Sequence, residues 1–340
     1  MSEQIPEHRR TRSHTATKVL EELDFKLRHD DVSDIRSFTT GFDALDDVLG
    51  GGMRAGDLVV LAGPPGVGKT IAALQWARHV ARTGAQAIFV CYEHEPALLL
   101  LRLLALELGE NGYGDEQSRS LVAGLLHEVT STRGVVDRLQ VTEGGASALE
   151  GFRTYADNLL LVRASGSHTT LEEIEGLVSQ YQDDSHSAVL FIDYLQKIPL
   201  HPEPEIEAEK VTRTVEGVKD LALSYRLPVV LLSAVDSAGM QANRLRLHHL
   251  RGSSAIAFES DVVVMLNSKE KAVSKVHLTY DPNRARGFRD WTVMSIEKNR
   301  GGPNLIDLEF RKDFSHFRFD PEGGVVTEKL VSERLDEEAM

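Results

Sequence analysis

Cysteine is almost absent from this chain of 340 residues: Cys91 is its single one. One thiol cannot close an internal disulfide, which excludes the small disulfide-built scaffolds and fits a reducing cytoplasm. Cys91 stands in an apolar run and reads as a small core residue rather than a nucleophile. Basic residues are outnumbered, 38 Lys and Arg against 52 Asp and Glu, for a formal net charge of −14. That excludes a surface coated for nucleic acid but not a local basic channel, because binding depends on where the charges lie. Apolar runs of membrane-spanning length are missing, and Met1-Ser2-Glu3-Gln4 opens no secretory leader. Internal repeats and low-complexity tracts are missing too. These absences predict a soluble, cytoplasmic protein without a membrane partner. What the chain does have is core: 41% hydrophobic residues over this length can bury one large domain or two small ones.

The most informative stretch is Gly63-Pro64-Pro65-Gly66-Val67-Gly68-Lys69-Thr70, a complete G-x-x-x-x-G-K-[ST] phosphate-binding loop. Leu58 to Ala62 enters it as an apolar strand. Ile71 to Thr83 leaves it as a helix, with Ile71, Leu74, Ala77 and Ala81 on one face and Gly84 as the stop. Glycines let backbone N–H groups turn toward phosphate oxygens, and the helix N-terminus adds a favourable dipole. Lys69 is expected to reach the β- and γ-phosphates of a nucleoside triphosphate, and Thr70 to ligate Mg²⁺.

Apolar runs at 58–62, 87–92, 188–193, 228–233 and 261–266 alternate with helical stretches. Their continuous Val, Ile and Leu content suits strands covered on both faces, so the expected class is α/β, a mainly parallel sheet flanked by helices. Residues 97–157 read as largely helical, broken at Gly109-Glu110-Asn111-Gly112-Tyr113-Gly114. Trp291–Glu297 and Leu305–Phe310, around Asn299-Arg300-Gly301-Gly302-Pro303, read as a C-terminal β-hairpin. Three regions follow: an arm over 1–36, an ATPase domain over 37–320 and an acidic, fraying tail over 321–340. In the arm, Val19, Leu20, Leu23 and Leu27 predict a short amphipathic helix over Thr15–His29, packed on its own domain or on a neighbouring subunit.

Ala188 to Asp193 is an apolar strand ending in an acid, the form of a Walker B strand whose Asp holds Mg²⁺. Tyr194 follows it, so the general base that often sits there must come from elsewhere. Ile88 to Glu93 offers one. Ligands of open α/β sheets sit at the carboxyl ends of strands, so Glu93 beside Asp193 would stand over the γ-phosphate and orient or deprotonate water. Glu95 is the neighbouring alternative.

Taken together, Thr40-Gly41-Phe42-Asp43-Ala44-Leu45-Asp46, the Gly50-Gly51-Gly52 turn, Gly56-Asp57-Leu58, the phosphate loop, Phe191-Ile192-Asp193-Tyr194-Leu195-Gln196 and Leu250-Arg251-Gly252-Ser253-Ser254-Ala255-Ile256 resemble, in order, the RecA-like C-terminal ATPase domain of DnaB-like replicative helicases. The resemblance spans about residues 37–320. It implies an ATP hydrolase requiring Mg²⁺, and an oligomeric motor or translocase on single-stranded DNA. It also implies a homo-oligomer, a hexameric ring or a filament, with room for a protein loader. By the same resemblance the catalytic glutamate falls on Glu93 and the metal-binding aspartate on Asp193. A Lys-x-Arg pair that reaches the γ-phosphate of the adjacent subunit falls on Lys298 and Arg300. The Gly-Pro-Pro-Gly start of the loop is closer to RadA- and KaiC-type relatives. They imply the alternative: an oligomeric ATP-dependent switch, or a recombination ATPase without unwinding.

The segment from Asn243 to Ser254 is a basic island in an acidic protein. In the family the matching loops hold single-stranded DNA, which points to Arg244, Arg246, Arg251, Gly252, Ser253 and Ser254. Arginine side chains and loop N–H groups suit phosphate contacts without base specificity. Few aromatics accompany them, so base stacking is not signalled. Arg284, Arg286 and Arg289 form a second, weaker island. Three features depart from the family. Ala234 follows Ser233 where a phosphate-sensing glutamine is usual. His249 and Gly252 replace the acids flanking the Leu-Arg pair. The first 36 residues cannot supply the family's N-terminal helical domain. An accessory, mobile-element or defence role is therefore expected rather than a chromosomal one.

Overall fold

The computed structural model describes residues 14–29, 36–111, 134–181, 187–252, 254–274 and 282–331. At its centre lies a ten-stranded sheet. Its strands are β3 (Leu58–Ala62), β4 (Gln86–Cys91), β5 (Leu159–Arg163), β6 (Ala188–Asp193), β7 (Val229–Ser233), β8 (Val262–Ser268), β9 (Trp291–Asn299), β10 (Ile306–Asp313), β11 (Arg318–Phe319) and β12 (Gly324–Val325). Two further strands, β1 (Ser37–Phe38) and β2 (Met53–Arg54), pair apart as a small antiparallel ribbon. The six strands ordered β8-β3-β7-β6-β4-β5 run parallel, and β9, β10 and their short partners extend the β8 edge in antiparallel fashion.

The continuous apolar runs have the double burial they predicted. Alternate residues of β3 face opposite ways: Val59 and Leu61 join one core, Leu58 and Val60 the other. Among the described residues the helices of seven residues or more are, in chain order, α1 (Ala16–Arg28), α2 (Asp43–Leu49), α3 (Lys69–Arg82), α4 (Pro96–Glu110), α5 (Val135–Val141), α6 (Gly145–Arg153), α7 (Leu171–Tyr181) and α8 (Glu207–Tyr225). Leu45, Trp76, Leu99 and Leu103 bring α2, α3 and α4 to the first face. Ile174, Val178, Val211 and Val215 bring α7 and α8 to the second.

A buried ion network clamps α3 to α4. Arg78 pairs with Glu107 at 2.6 Å and with Glu110 at 2.6 Å, and its side chain is only 5% exposed. The guanidinium also lies 5.6 Å from the Tyr155 ring centroid.

Four expectations change. The Leu-rich run at 159–163 follows a helical stretch and is not among the expected strands. It forms β5, the parallel edge of the sheet beside β4. The hairpin is longer than the apolar runs, since Lys298 and Asn299 continue β9 and Asp313 ends β10. The acidic residues to 331 do not fray: β12 pairs with β10, Val331 N donates to the Ala272 carbonyl, and Glu328 meets the buried Lys269 ammonium at 2.8 Å. The amphipathic helix forms, with Thr15 Oγ1 accepting from Lys18 N, but none of its residues is buried. Its Val19, Leu20, Phe25 and Leu27 are exposed. The glycine break at 112–114 and the stretch 332–340 lie outside the described residues. No helix among the described residues is long and apolar enough to cross a membrane.

Candidate functional site

β3 delivers the chain into the phosphate loop, and Gly68 starts α3 at φ +104°, in the left-handed region. A side chain there would be strained, and its Cβ would stand 2.7 Å from both Phe314 Cζ and Phe319 Cζ. Glycine is thus required twice over. Lys69 Nζ folds back onto the loop, donating to the carbonyls of Gly63 at 2.8 Å and Pro64 at 3.1 Å. Burial pulls its ammonium below the usual range, opposed by the charges of Asp193 and Glu93. Thr70 Oγ1 donates to Asp193 Oδ2 at 2.7 Å. Burial raises the Asp193 carboxyl to about 6, against the lowering effect of the Thr70 bond.

Gly63, Gly68, Lys69, Thr70 and Asp193 line one cavity of 420 Å³. Register brings Glu93 to it. Cys91 of β4 lies directly opposite Asp193 of β6, so Glu93, two residues on, reaches the same sheet end. Glu93 is exposed and lines the cavity. Glu95 does not line it and is engaged by Arg163 at 2.6 Å. The donor set fits a triphosphate with Mg²⁺: a glycine-lined cradle, a lysine, and a hydroxyl beside a carboxylate.

Sequence reasoning missed Arg102. It lines the cavity, its buried Nε has no hydrogen-bond partner, and its guanidinium lies 5.4 Å from the Phe317 ring centroid. Burial pulls its pKa down, while Cys91, Asp193 and Glu93 push it up. The signal was present in the sequence: Arg102 is the one cation in the leucine-rich helix α4. Phe314 and Phe317 also line the cavity and were not singled out, although their closeness to Phe319 along the chain was visible. Phe317 is held at φ +49°, an uncommon conformation for a bulky residue.

Lys298 and Arg300 stand elsewhere. Lys298 Nζ donates to the carbonyls of Ala257 at 2.7 Å, Phe258 at 3.1 Å and Ser260, closing the end of the short helix Ala255–Glu259. Arg300 Nη1 meets Asp261 Oδ1 at 3.1 Å, and its side chain is 52% exposed. Neither lines the cavity of its own chain. Phe258 beside them is exposed.

The basic island divides. Arg244 turns inward to Asp307 at 2.6 Å, and Arg246 to the buried Glu297 at 2.9 Å, so both brace β9 and β10. Their charges are spent on the fold, which the sequence pattern of alternating arginines could not tell from a phosphate-facing row. Arg251 is exposed, paired with Glu207 at 2.8 Å, and lines the nucleotide cavity. Gly252 takes φ +108°, and a Cβ there would meet Val211 Cγ2 at 2.6 Å. Ser254 is exposed, and Ser253 lies outside the described residues. In the second island Arg289 pairs with Glu270 at 2.7 Å, Arg286 is exposed, and the Arg284 side chain lies outside the described set.

Comparison with known proteins adds to this geometry. A family model described as "DnaB-like helicase C terminal domain" matches residues 37–319. The replicative DNA helicase DnaB of Treponema pallidum (strain Nichols) is 26% identical over 294 residues, covering 86% of this chain and 58% of that protein. The replicative DNA helicase DnaC of Bacillus subtilis (strain 168) is 27% identical over 306 residues, covering 87% of this chain and 60% of that protein. The chain thus spans about three fifths of the length of these curated relatives. Among solved structures, an isolated ATPase domain superposes with a TM-score of 0.71 at 17% identity, covering 91% of this chain and 99% of that one. A DnaB-like replicative helicase solved with attention to its interactions with primase gives 0.66 at 16% identity, covering 91% of this chain and 67% of that one. The shared fold is RecA-like.

Proposed function

The chain belongs to the DnaB-like helicase C-terminal domain family, and from that premise we propose that it is a Mg²⁺-dependent ATPase working as an oligomeric motor on single-stranded DNA. One observation carries the reading: Lys69, the Thr70–Asp193 pair, Glu93 and Arg102 converge on a single cavity at the carboxyl ends of β3, β4 and β6. Lys69 leaves its loop carbonyls to meet the β- and γ-phosphates. Thr70 and Asp193 would hold Mg²⁺, which would supply positive charge against the phosphoryl oxygens. Glu93 accepts a proton from water as the water oxygen attacks the γ-phosphorus. The bond to the leaving oxygen breaks, giving ADP and inorganic phosphate. Arg102, beside the Phe317 ring in the cavity lining, brings its guanidinium charge to the charge that develops on the phosphoryl group.

Lys298 and Arg300 supply further cations to the cavity of an adjacent subunit, in a ring or filament. Their position away from their own cavity, the exposed Phe258 and the uncovered apolar face of α1 all suit contacts between copies. Single-stranded DNA meets Arg251 and the backbone of 251–254, without base specificity. Ala234 in place of a phosphate-sensing glutamine fits an accessory, mobile-element or defence setting. The test is the ATP hydrolysis rate with and without oligo-dT, measured beside the Lys69→Ala protein. Stimulation by the oligonucleotide that is absent from Lys69→Ala is expected. A Mg²⁺-dependent rate indifferent to DNA would sink the motor. It would favour the second reading, an ATP-dependent oligomeric switch for a protein partner, which the inward pairing of Arg244 and Arg246 supports.

A further inference from the structure

Gln196 sits three residues past Asp193, on a single turn over Leu195–Lys197, and does not line the nucleotide cavity. Its half-buried side chain nonetheless joins three segments. Oε1 accepts from Ala234 N at 3.2 Å; Nε2 donates to Ser233 Oγ at 3.1 Å and to the Arg251 carbonyl at 3.1 Å. The network also fixes the amide orientation. Flipped, Nε2 would face the Ala234 N–H and Oε1 the Arg251 carbonyl, donor against donor and acceptor against acceptor.

Around this amide the candidate DNA loop is laced to the end of β7. Arg251 N donates to the Ala234 carbonyl at 3.1 Å, Val235 bridges Leu250, and Asp236 N donates to the His249 carbonyl at 2.9 Å. Ala234, Val235 and Arg251 face the nucleotide cavity, whereas Gln196 ties the Walker B end of the sheet to the back of the same lacing. Ala234 has no side-chain donor or acceptor of its own. Among the described residues, the side chain that spans β6, β7 and the loop is therefore that of Gln196.

We propose that Gln196 is the positioning residue that transmits nucleotide state from the Asp193 end of β6 to the 249–252 loop, through its bonds to Ala234 N and the Arg251 carbonyl. The inference rests on the reading of that loop as the output of the ATPase. A shift of β6 when Asp193 engages Mg²⁺ and phosphate moves the Leu195–Lys197 turn, and the amide carries the shift to Arg251. Coupling of about fivefold or more between two ligands is the ordinary scale for such a link.

The experiment is hydrogen exchange of the 249–252 amides in the full chain, with Mg²⁺ and either ADP or the β,γ-imido analogue of ATP. In the parent protein, exchange in the loop is expected to differ between the two nucleotides. Gln196→Glu keeps the volume and the acceptor for Ala234 N but turns an oxygen toward the Arg251 carbonyl. Gln196→Leu removes all three bonds. Both are expected to lose the difference between nucleotides while still binding them. A loop that responds equally in parent and variants overturns the proposal. So does a parent loop blind to nucleotide, or variants whose exchange rises by the same factor in both states, which marks mere bracing. Oligo-dT binding, read by anisotropy alongside, separates the two readings. A parent whose loop responds to nucleotide but which binds no oligo-dT removes DNA from the function and leaves the transmission intact.

Discussion

Thr70 Oγ1 and Asp193 Oδ2 stand 2.7 Å apart, a bond that joins the first turn of α3 to the end of β6. Both groups are assigned to Mg²⁺ in the proposed function. Thr70→Val keeps the shape and removes the hydroxyl. Its ATPase rate is expected to fall at least about 100-fold, because Mg²⁺ contributes several kcal/mol to phosphoryl transfer. Steady-state rates over a Mg²⁺ titration check this. An unchanged Mg²⁺ dependence would remove Thr70 from the site.

Glu93→Gln retains size and loses the base. The expected result is a kcat lower by about 10²- to 10⁴-fold with the KM for ATP little changed, since the residue acts on water rather than on the nucleotide. The same change at Glu95, which is held by Arg163 away from the cavity, is expected to leave kcat within about twofold.

Arg102→Leu is expected to lower kcat by about 10²- to 10³-fold, the scale of losing one preorganised donor to developing charge. Arg102→Lys restores the charge but not the guanidinium fork beside Phe317, so rescue is expected to be incomplete. Rescue to parental kcat by lysine would show that charge alone suffices.

If Arg300 acts across subunits, inactive Lys69→Ala and Arg300→Ala proteins complement each other when mixed. Random assembly of equal amounts places an intact Lys69 beside an intact Arg300 at about one interface in four, so about that share of activity is expected back. Mixed proteins that remain inactive would confine Arg300 to its bond with Asp261.

The clamp between α3 and α4 sets an acid limit on stability. Burial alone would raise the Glu110 carboxyl, but the hydrogen bonds and charge of Arg78 outweigh it and hold Glu110 below its usual value of 4.5. The folded value lies below the unfolded one. Its stabilising contribution is therefore full above about pH 4.5 and lost as pH falls through the folded value. Thermal midpoints between pH 7 and pH 3 are expected to fall more steeply in the parent than in Glu110→Gln. Arg78→Ala, which strands Glu107 in the interior, is expected to cost about 3–5 kcal/mol at neutral pH.

Much of the fold was legible because β3, β6 and β7 are apolar on consecutive positions, a pattern that only two covering layers can satisfy. The phosphate loop and the strand-end acids were legible for a related reason: parallel strands bring their carboxyl ends together, so Glu93 and Asp193 had to meet. β5 was hidden because it borders the sheet and its leucines adjoin helical sequence. Arg102 was hidden because its value lies in an environment, a buried Nε above a phenylalanine ring, that no spacing announces. The inward turn of Arg244 and Arg246 was hidden for the converse reason. Asp307 and Glu297, their partners, are 63 and 51 positions away along the chain, and local charge pattern cannot identify partners brought in by tertiary folding.

The Arg78 network has one more consequence. The phosphate loop opens α3, Arg102 rides on α4, and buried ion pairs bind the two helices into one block. Clamped in this way, those walls of the cavity would move as one. Another part of the lining carries the exposed Met240 and the lacing between β7 and the basic loop, which is made of hydrogen bonds and not of ion pairs. If ADP leaves past that lacing, its exit would loosen the loop proposed to hold DNA, and the exit step and the grip on the strand would be a single motion.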